Sequence, residues 1–384
     1  MDDTILIDDD LVSSSDNESS SLLNSSNNHN NDYDDRKNEF NMDTQTIWEK
    51  LSNKYTLYQI YSISLSILFL IVAIILPFVN KKIFSSYDYP VTGSFLQTLG
   101  ASVLLLILNV IMYLSHRNDL VPKSNIFDQN FLMKSLVMIP VSVCFAIVIS
   151  LTNIGLSMIP VNYHVVFKST NIVWIVLFSF IVHKERPSPI ILVSIVLLMA
   201  GTILTSLEFS KKNQSTSFWP IFINILAIFF ESVTLVVLKW TCKYLHRKDS
   251  TISALEITFY KVAEGTIVIL IPLFAIEGVR GFGALNNLPA SSILMLLAGV
   301  VVTMVYQGST VGMIKTLYVT TVGVINQVII IPQLFLSMAI YHSFSYDALH
   351  IVGVVLSVLG CVVFAGYQFY AANNKNNKPD ALGK

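Results

Sequence analysis

The sequence predicts an all-α membrane protein, with ten transmembrane helices in two inverted five-helix repeats. Three observations carry that reading. Of the 384 residues, 53% are hydrophobic and only 13% are charged, about half the charged share of an ordinary soluble domain. Ten apolar stretches follow one another, each near the roughly twenty residues that a bilayer core demands. The fourth and fifth stretches are matched by the ninth and tenth at a constant spacing, His183 falling on His342.

Residues 1–54 precede the first stretch. They hold thirteen of the twenty-five acids and four basic residues, with runs such as SSSDNESSS. So polar a segment cannot bury enough apolar surface to offset the entropy of ordering, and it reads as a disordered tail. Within it Glu18, Leu22 and Leu23 have the form of an acidic dileucine sorting signal, a pattern short enough to arise by chance. The amino terminus has no early apolar core, so no cleavable leader is expected.

The spans then run 57–79, 93–115, 132–154, 160–182 and 187–207, a first repeat within residues 55–210. The second repeat, within 211–372, holds 218–240, 255–276, 290–312, 318–341 and 348–371, and a short basic tail closes the chain at 373–384. Lysine and arginine in the loops set the orientation. Arg36, Lys37, Arg117, Lys123, Lys184, Arg186, Arg247 and Lys248 fall on the side of the two termini, which is therefore cytosolic. The other side carries Lys81, Lys82, Lys211, Lys212 and Arg280, and the sequon at Asn213 lies there, close to the membrane.

The match between the halves includes Val193 with Val352 and Gly201 with Gly360. Five spans is an odd number, so the halves must insert with opposite topology. Inverted repeats that meet at the midplane are a common plan of secondary transporters. The two glycines suit close helix contact.

Lys168 lies inside the fourth span. A lysine at mid-bilayer costs roughly 2.5–3.5 kcal/mol on insertion scales and normally faces a bundle interior or a wet cavity. His164, Lys168 and Asn171 share one helix face by their spacing. The stripe reads as one wall of a solute pathway; the bland alternative is a buried lysine paired with an acid to fix packing. The repeat carries Lys168 onto Gln327, where Thr320, Gly323 and Gln327, with Asn326 alongside, form a second stripe.

Tyr260, Lys261 and Glu264 lie two turns into the seventh span. The spacing of Lys261 and Glu264 suits a mutual ion pair, either structural or part of a gate or substrate contact. Glu231, mid-span in the sixth, has no basic neighbour on its own helix. It could answer Lys168 or Lys261 across the bundle, or stay neutral and carry a proton. Tyr306 and Gln307, with Asn153 and Gln97, offer hydrogen bonds. Cys144, Cys242 and Cys361 lack any pair or metal spacing and read as small core residues. No catalytic constellation, metal set or cofactor motif appears, so no enzyme is expected.

Three stretches, YDYPVTGSFLQTLG, LTNIGLSMIPVNYHVVFKS and the basic hinge before PIILVSIVLLMAGTIL, resemble the drug/metabolite transporter superfamily. The NY-x-V-x-FKS pattern is similar to its nucleotide-sugar and triose-phosphate branch. That resemblance implies an antiporter of nucleotide sugars or related phosphorylated solutes in Golgi or endoplasmic reticulum membranes, with Lys168 on a phosphate. The chain departs from it in span nine, where Asn326 and Gln327 stand in place of a basic residue. The expected partners are a small anionic substrate and the lipid bilayer, with no nucleic acid; a homodimer is left open. Two other functions fit the residues: a proton-coupled transporter of small metabolites or amino acids in an endolysosomal membrane, and a scaffold that acts through its tail.

Overall fold

Helices fill the chain wherever the sequence is apolar, because a backbone in hydrocarbon must satisfy its own hydrogen bonds. The computed structural model describes residues 60–115, 126, 129–183, 188–212, 218–317, 319–341 and 347–376, and these contain no strand. The acidic tail, the dileucine pattern, most of the basic hinge and the Asn213 sequon lie outside the described residues.

In chain order the helices are α1 (Ile60–Phe84), α2 (Pro90–Leu114), α3 (Phe131–Met158), α4 (Val161–Lys168), α5 (Asn171–His183) and α6 (Pro189–Lys212). There follow α7 (Trp219–Lys248), α8 (Ala254–Pro272), the short α9 (Arg280–Ala284), α10 (Ala290–Thr316), α11 (Val319–Tyr341) and α12 (Ala348–Asn376). Seven of these are long and apolar enough to cross a membrane, and three shorter apolar stretches lie at Tyr163–Phe178, Pro189–Leu204 and Thr321–Ser337. The protein is thus an all-helical, multi-pass integral membrane protein.

α1 shows why the faces sort as they do. Ile63, Ile67, Ile71 and Ile75 recur every fourth residue and stay exposed, a stripe suited to lipid tails, while Phe69, Val72 and Ala73 are buried. α3 sits centrally, packed on α2, α7 and α8, while α10 lies against α2 and α8. α6 packs along α12, and α11 runs beside α4, α5 and α12.

The α6–α12 contact is close because glycine leaves room for it. A Cβ on Gly201 would lie 2.5 Å from the Gly353 carbonyl oxygen, and one on Gly360 would lie 2.9 Å from the Ser194 carbonyl oxygen. These contacts exchange under the repeat spacing: Gly201 maps to Gly360, and Ser194 maps to Gly353.

The expected fourth span is interrupted after Lys168. Ser169 and Thr170 turn their hydroxyls onto the carbonyls of Val166 (2.6 Å) and Phe167 (2.8 Å), and the Thr170 amide bonds Phe167 at i−3. Hydroxyls that serve backbone carbonyls in this way let a helix break inside a bundle. At the far end of α8 a π-helical turn over Leu273–Glu277 stops at Gly278, whose φ of +61° suits glycine. Glu277 then caps α2, accepting from the amides of Val91 (2.8 Å) and Thr92 (2.7 Å).

Candidate functional site

Helix breaks bring polar groups to the centre. α3 ends at Ile159, whose extended backbone (φ −124°, ψ 157°) leads through Pro160 into α4. α4 carries His164 and Lys168. The Lys168 Nζ lies 3.8 Å from Glu231 Oε1 on α7, the two side chains 16% and 18% exposed. Glu231 therefore answers Lys168 across the bundle. His164 Nδ1 is 2.8 Å from Asn224 Oδ1. Asn224 Nδ2 donates to the Pro220 carbonyl, so its oxygen faces the ring and the hydrogen belongs on Nδ1.

Lys168 and Glu231 open onto a cleft of about 110 Å³. Its walls repeat. Ala73, Leu76 and Pro77 on α1 stand 158 residues before Glu231, Thr234 and Leu235 on α7, and all six line the cleft. Phe145, Val148, Ile149 and Thr152 on α3 stand at the same spacing before Thr303, Tyr306, Gln307 and Thr310 on α10, again all lining it. In five of these seven pairs an apolar residue of α1 or α3 answers a polar residue of α7 or α10. The cleft therefore has one greasy wall and one hydrogen-bonding wall.

Lys261 closes the polar wall. Its Nζ donates to Gln307 Oε1 at 2.7 Å and lies 5.0 Å from the centre of the Phe145 ring, within cation–π range. The ion pair expected between Lys261 and Glu264 is not made. Glu264 turns instead toward α3, accepting from Ser135 Oγ and Ser142 Oγ at 2.9 Å each. Tyr306 stacks on Phe69, with ring centres 5.4 Å apart. At one end Asn80 Nδ2 donates to Asn153 Oδ1 (3.0 Å) and Gln97 Nε2 to Asn80 Oδ1 (2.9 Å), so two lining amides are held by a third outside the lining.

Of the residues singled out by sequence, Asn153, His164, Lys168, Glu231, Lys261, Tyr306 and Gln307 line the cleft. Asn171, Tyr260, Glu264, Asn326 and Gln327 do not. Asn171 follows the break and receives the Ser232 hydroxyl. The Tyr260 hydroxyl donates to the Ile126 carbonyl at 3.0 Å. Gln327 Oε1 accepts from Cys361 Sγ at 3.1 Å, and Asn326 is buried. Thr320 lies beyond the described side chains. Asn80, Phe145, Thr152, Thr234, Thr303 and Thr310 line the cleft without having stood out in the sequence. For all of these but Asn80, the signal that finds them is the repeat spacing carried from α1 and α3 onto α7 and α10. Among the described residues no cluster of three His, Cys, Asp or Glu could hold a metal ion.

A family profile described as purine nucleobase transmembrane transport matches residues 55–376. This corrects the nucleotide-sugar reading, since the match is to a different family and a nucleobase carries no phosphate for Lys168 to bind. The Golgi or endoplasmic reticulum placement rested on that resemblance and gains nothing from the match. The pattern misled for a physical reason: Tyr163, Val165 and Phe167 in NY-x-V-x-FKS are buried and pack the core. They report the fold more than the cargo. A solved structure titled "Crystal structure of protein" is similar with a TM-score of 0.52 at 12% identity, over 82% of this chain and 99% of that one. At that identity the likeness concerns the fold alone. No curated protein matches.

Proposed function

From the premise that this chain belongs to the purine nucleobase transmembrane transport family, we propose that it carries an uncharged purine base, or a planar heteroaromatic of like shape, through the central cleft. The observation that carries this reading is the two-faced wall. A flat base buries its ring face against apolar side chains and needs a few fixed polar groups at its edge. Phe145, Val148 and Ile149 supply the first; Glu231, Tyr306 and Gln307 supply the second. Lys168 meets a carboxylate at 3.8 Å, an arrangement suited to a neutral cargo better than to a diphosphate.

Movement follows an alternating-access scheme between two inverted five-helix repeats, residues 55–210 and 211–372, with ten spans in all. The seven lining pairs and the exchanging contacts of Gly201 and Gly360 support it, because residues related by an in-plane two-fold axis meet where that axis runs. Rocking one repeat against the other would then expose the cleft to each side in turn. A proton-coupled mode is favoured by one specific observation: Glu231 is the single carboxylate among the lining residues. Uptake indifferent to a pH gradient and unchanged in Glu231→Gln would exclude that mode.

A thermal-shift panel tests the substrate class. Ligands that bind only the folded state raise apparent stability by mass action, about 2.7 kcal/mol at a hundredfold excess over Kd. Adenine, guanine and hypoxanthine should raise Tm, and nucleotide sugars should leave it in place. The reverse order would overturn the nucleobase reading.

A further inference from the structure

We infer that Lys81 and Lys239 are a matched pair of positioning residues, each holding the corner around which its own repeat moves. Lys81 Nζ on α1 donates to the carbonyls of Leu156 (2.9 Å), Ser157 (3.3 Å) and Ile159 (2.9 Å) at the end of α3. Lys239 Nζ on α7 donates to those of Ile314 (2.8 Å) and Leu317 (2.9 Å) at the end of α10. Two of the three Lys81 acceptors correspond residue by residue with those of Lys239. Lys81 precedes Lys239, Leu156 precedes Ile314 and Ile159 precedes Leu317 by 158 residues in each case. This is the spacing that relates the two walls of the cleft.

The backbone corresponds as well. Ile159 and Leu317 are both extended (φ −124°, ψ 157° and φ −111°, ψ 163°), and each leads into a new helix within two residues. The helix after Ile159 carries His164 and Lys168 into the cleft. A helix end leaves its last carbonyls without partners and bears partial negative charge. Inside a bilayer such carbonyls need a donor. An ammonium on a four-carbon stem supplies three donors with little directional demand. It can follow carbonyls that shift by an ångström or more while still satisfying them, which a fixed backbone bond cannot do. Each lysine spans from the first helix of its repeat to the carbonyls that end the third span.

The inference rests on the inverted-repeat reading, and the test below needs no substrate, so it stands apart from the nucleobase assignment. Under that reading, exchanging the conformations of the two repeats exchanges the outward-open and inward-open states. Whatever bias loss of Lys81 imposes, loss of Lys239 must impose the opposite one. The full-length protein, with its cysteines replaced and a single reporter cysteine at Thr152, is labelled by an impermeant maleimide from each face of sealed vesicles. Lys81→Met should shift the ratio of the two labelling rates by about threefold or more in one direction, and Lys239→Met by a like amount in the other. The double variant should lie between them, and Lys81→Arg and Lys239→Arg should stay near the parent.

Shifts in the same direction, or none, would overturn the inference. Should the methionine variants fail to reach the membrane, the glutamine variants, which keep two N–H donors, are read the same way. A companion pair of reporters at Ser85 and Asp249 should label from opposite faces. Labelling from one face would overturn the inverted-repeat reading, and this inference with it.

Discussion

Lys261 holds the amide oxygen of Gln307 at 2.7 Å. An ammonium has donors only, so it fixes which end of the amide it faces and leaves the N–H groups for the cleft. A cargo edge with acceptors fits that wall best. A 6-oxopurine offers O6 and N7 as acceptors, whereas adenine offers N7 beside an amino donor. In competition for uptake, hypoxanthine and guanine should therefore outrank adenine. Gln307→Glu places an acceptor where the donors stood, and the ratio should move toward adenine by about tenfold, or about 1.4 kcal/mol. Relative inhibition constants in proteoliposomes check this.

The pair Lys168–Glu231 makes a second prediction. Removing one partner strands the other charge in a site of low dielectric, which costs more than removing both. Lys168→Met and Glu231→Gln should each lose about 1–3 kcal/mol of stability, and the double variant should lose less than either. Transport should be lost in all three. Melting temperatures of the purified variants, read as a double-mutant cycle, measure the coupling.

At the loop after α7, Asp249 Oδ2 lies 2.8 Å from Lys134 Nζ, which also reaches Glu256 at 3.0 Å. Partial burial pushes the Asp249 carboxyl up, but hydrogen bonds from Lys134 and Thr251 outweigh it and hold the carboxyl below its ordinary value. The stability it contributes is present above the usual carboxylate range and is lost as pH falls through that lowered value. Asp249→Asn should cost roughly 0.5–1 kcal/mol near about pH 7, the partial exposure of the group keeping the figure small. The difference from the parent should shrink as the pH drops to about 3. Thermal melts across that range test the sign.

Gly201 and Gly360 should fail alike. A Cβ on either meets backbone of the facing helix, the Gly353 oxygen at 2.5 Å and the Ser194 oxygen at 2.9 Å. Backbone cannot swing aside as a side chain can. Gly201→Ala and Gly360→Ala should each cost about 1–3 kcal/mol. A loss at one position only would show that the α6–α12 contact is not shared evenly.

The helices were legible because their signal is length and apolarity. The glycine pair was legible because each repeat carries one at the same place. The break after Lys168 was not: Ser169 and Thr170 sit in apolar surroundings, and only the hydroxyl bonds to Val166 and Phe167 disclose it. That break takes Asn171 off the stripe expected from helical spacing. Spacing along one helix also misjudged Glu264, because its partners Ser135 and Ser142 come from α3. Periodicity reports neighbours on one helix and is silent about the helix facing it. The cargo was misread for a related reason, since the residues nearest Lys168 in sequence pack the core, while those nearest in space come from α7 and α10.

The most direct measurement is counterflow in proteoliposomes that hold the full-length protein and are loaded with unlabelled hypoxanthine. Labelled hypoxanthine should accumulate, guanine should compete, and Glu231→Gln should abolish the uptake. Absence of uptake for every purine base, in protein shown to be folded by its melt, would contradict the central claim that this cleft carries a nucleobase.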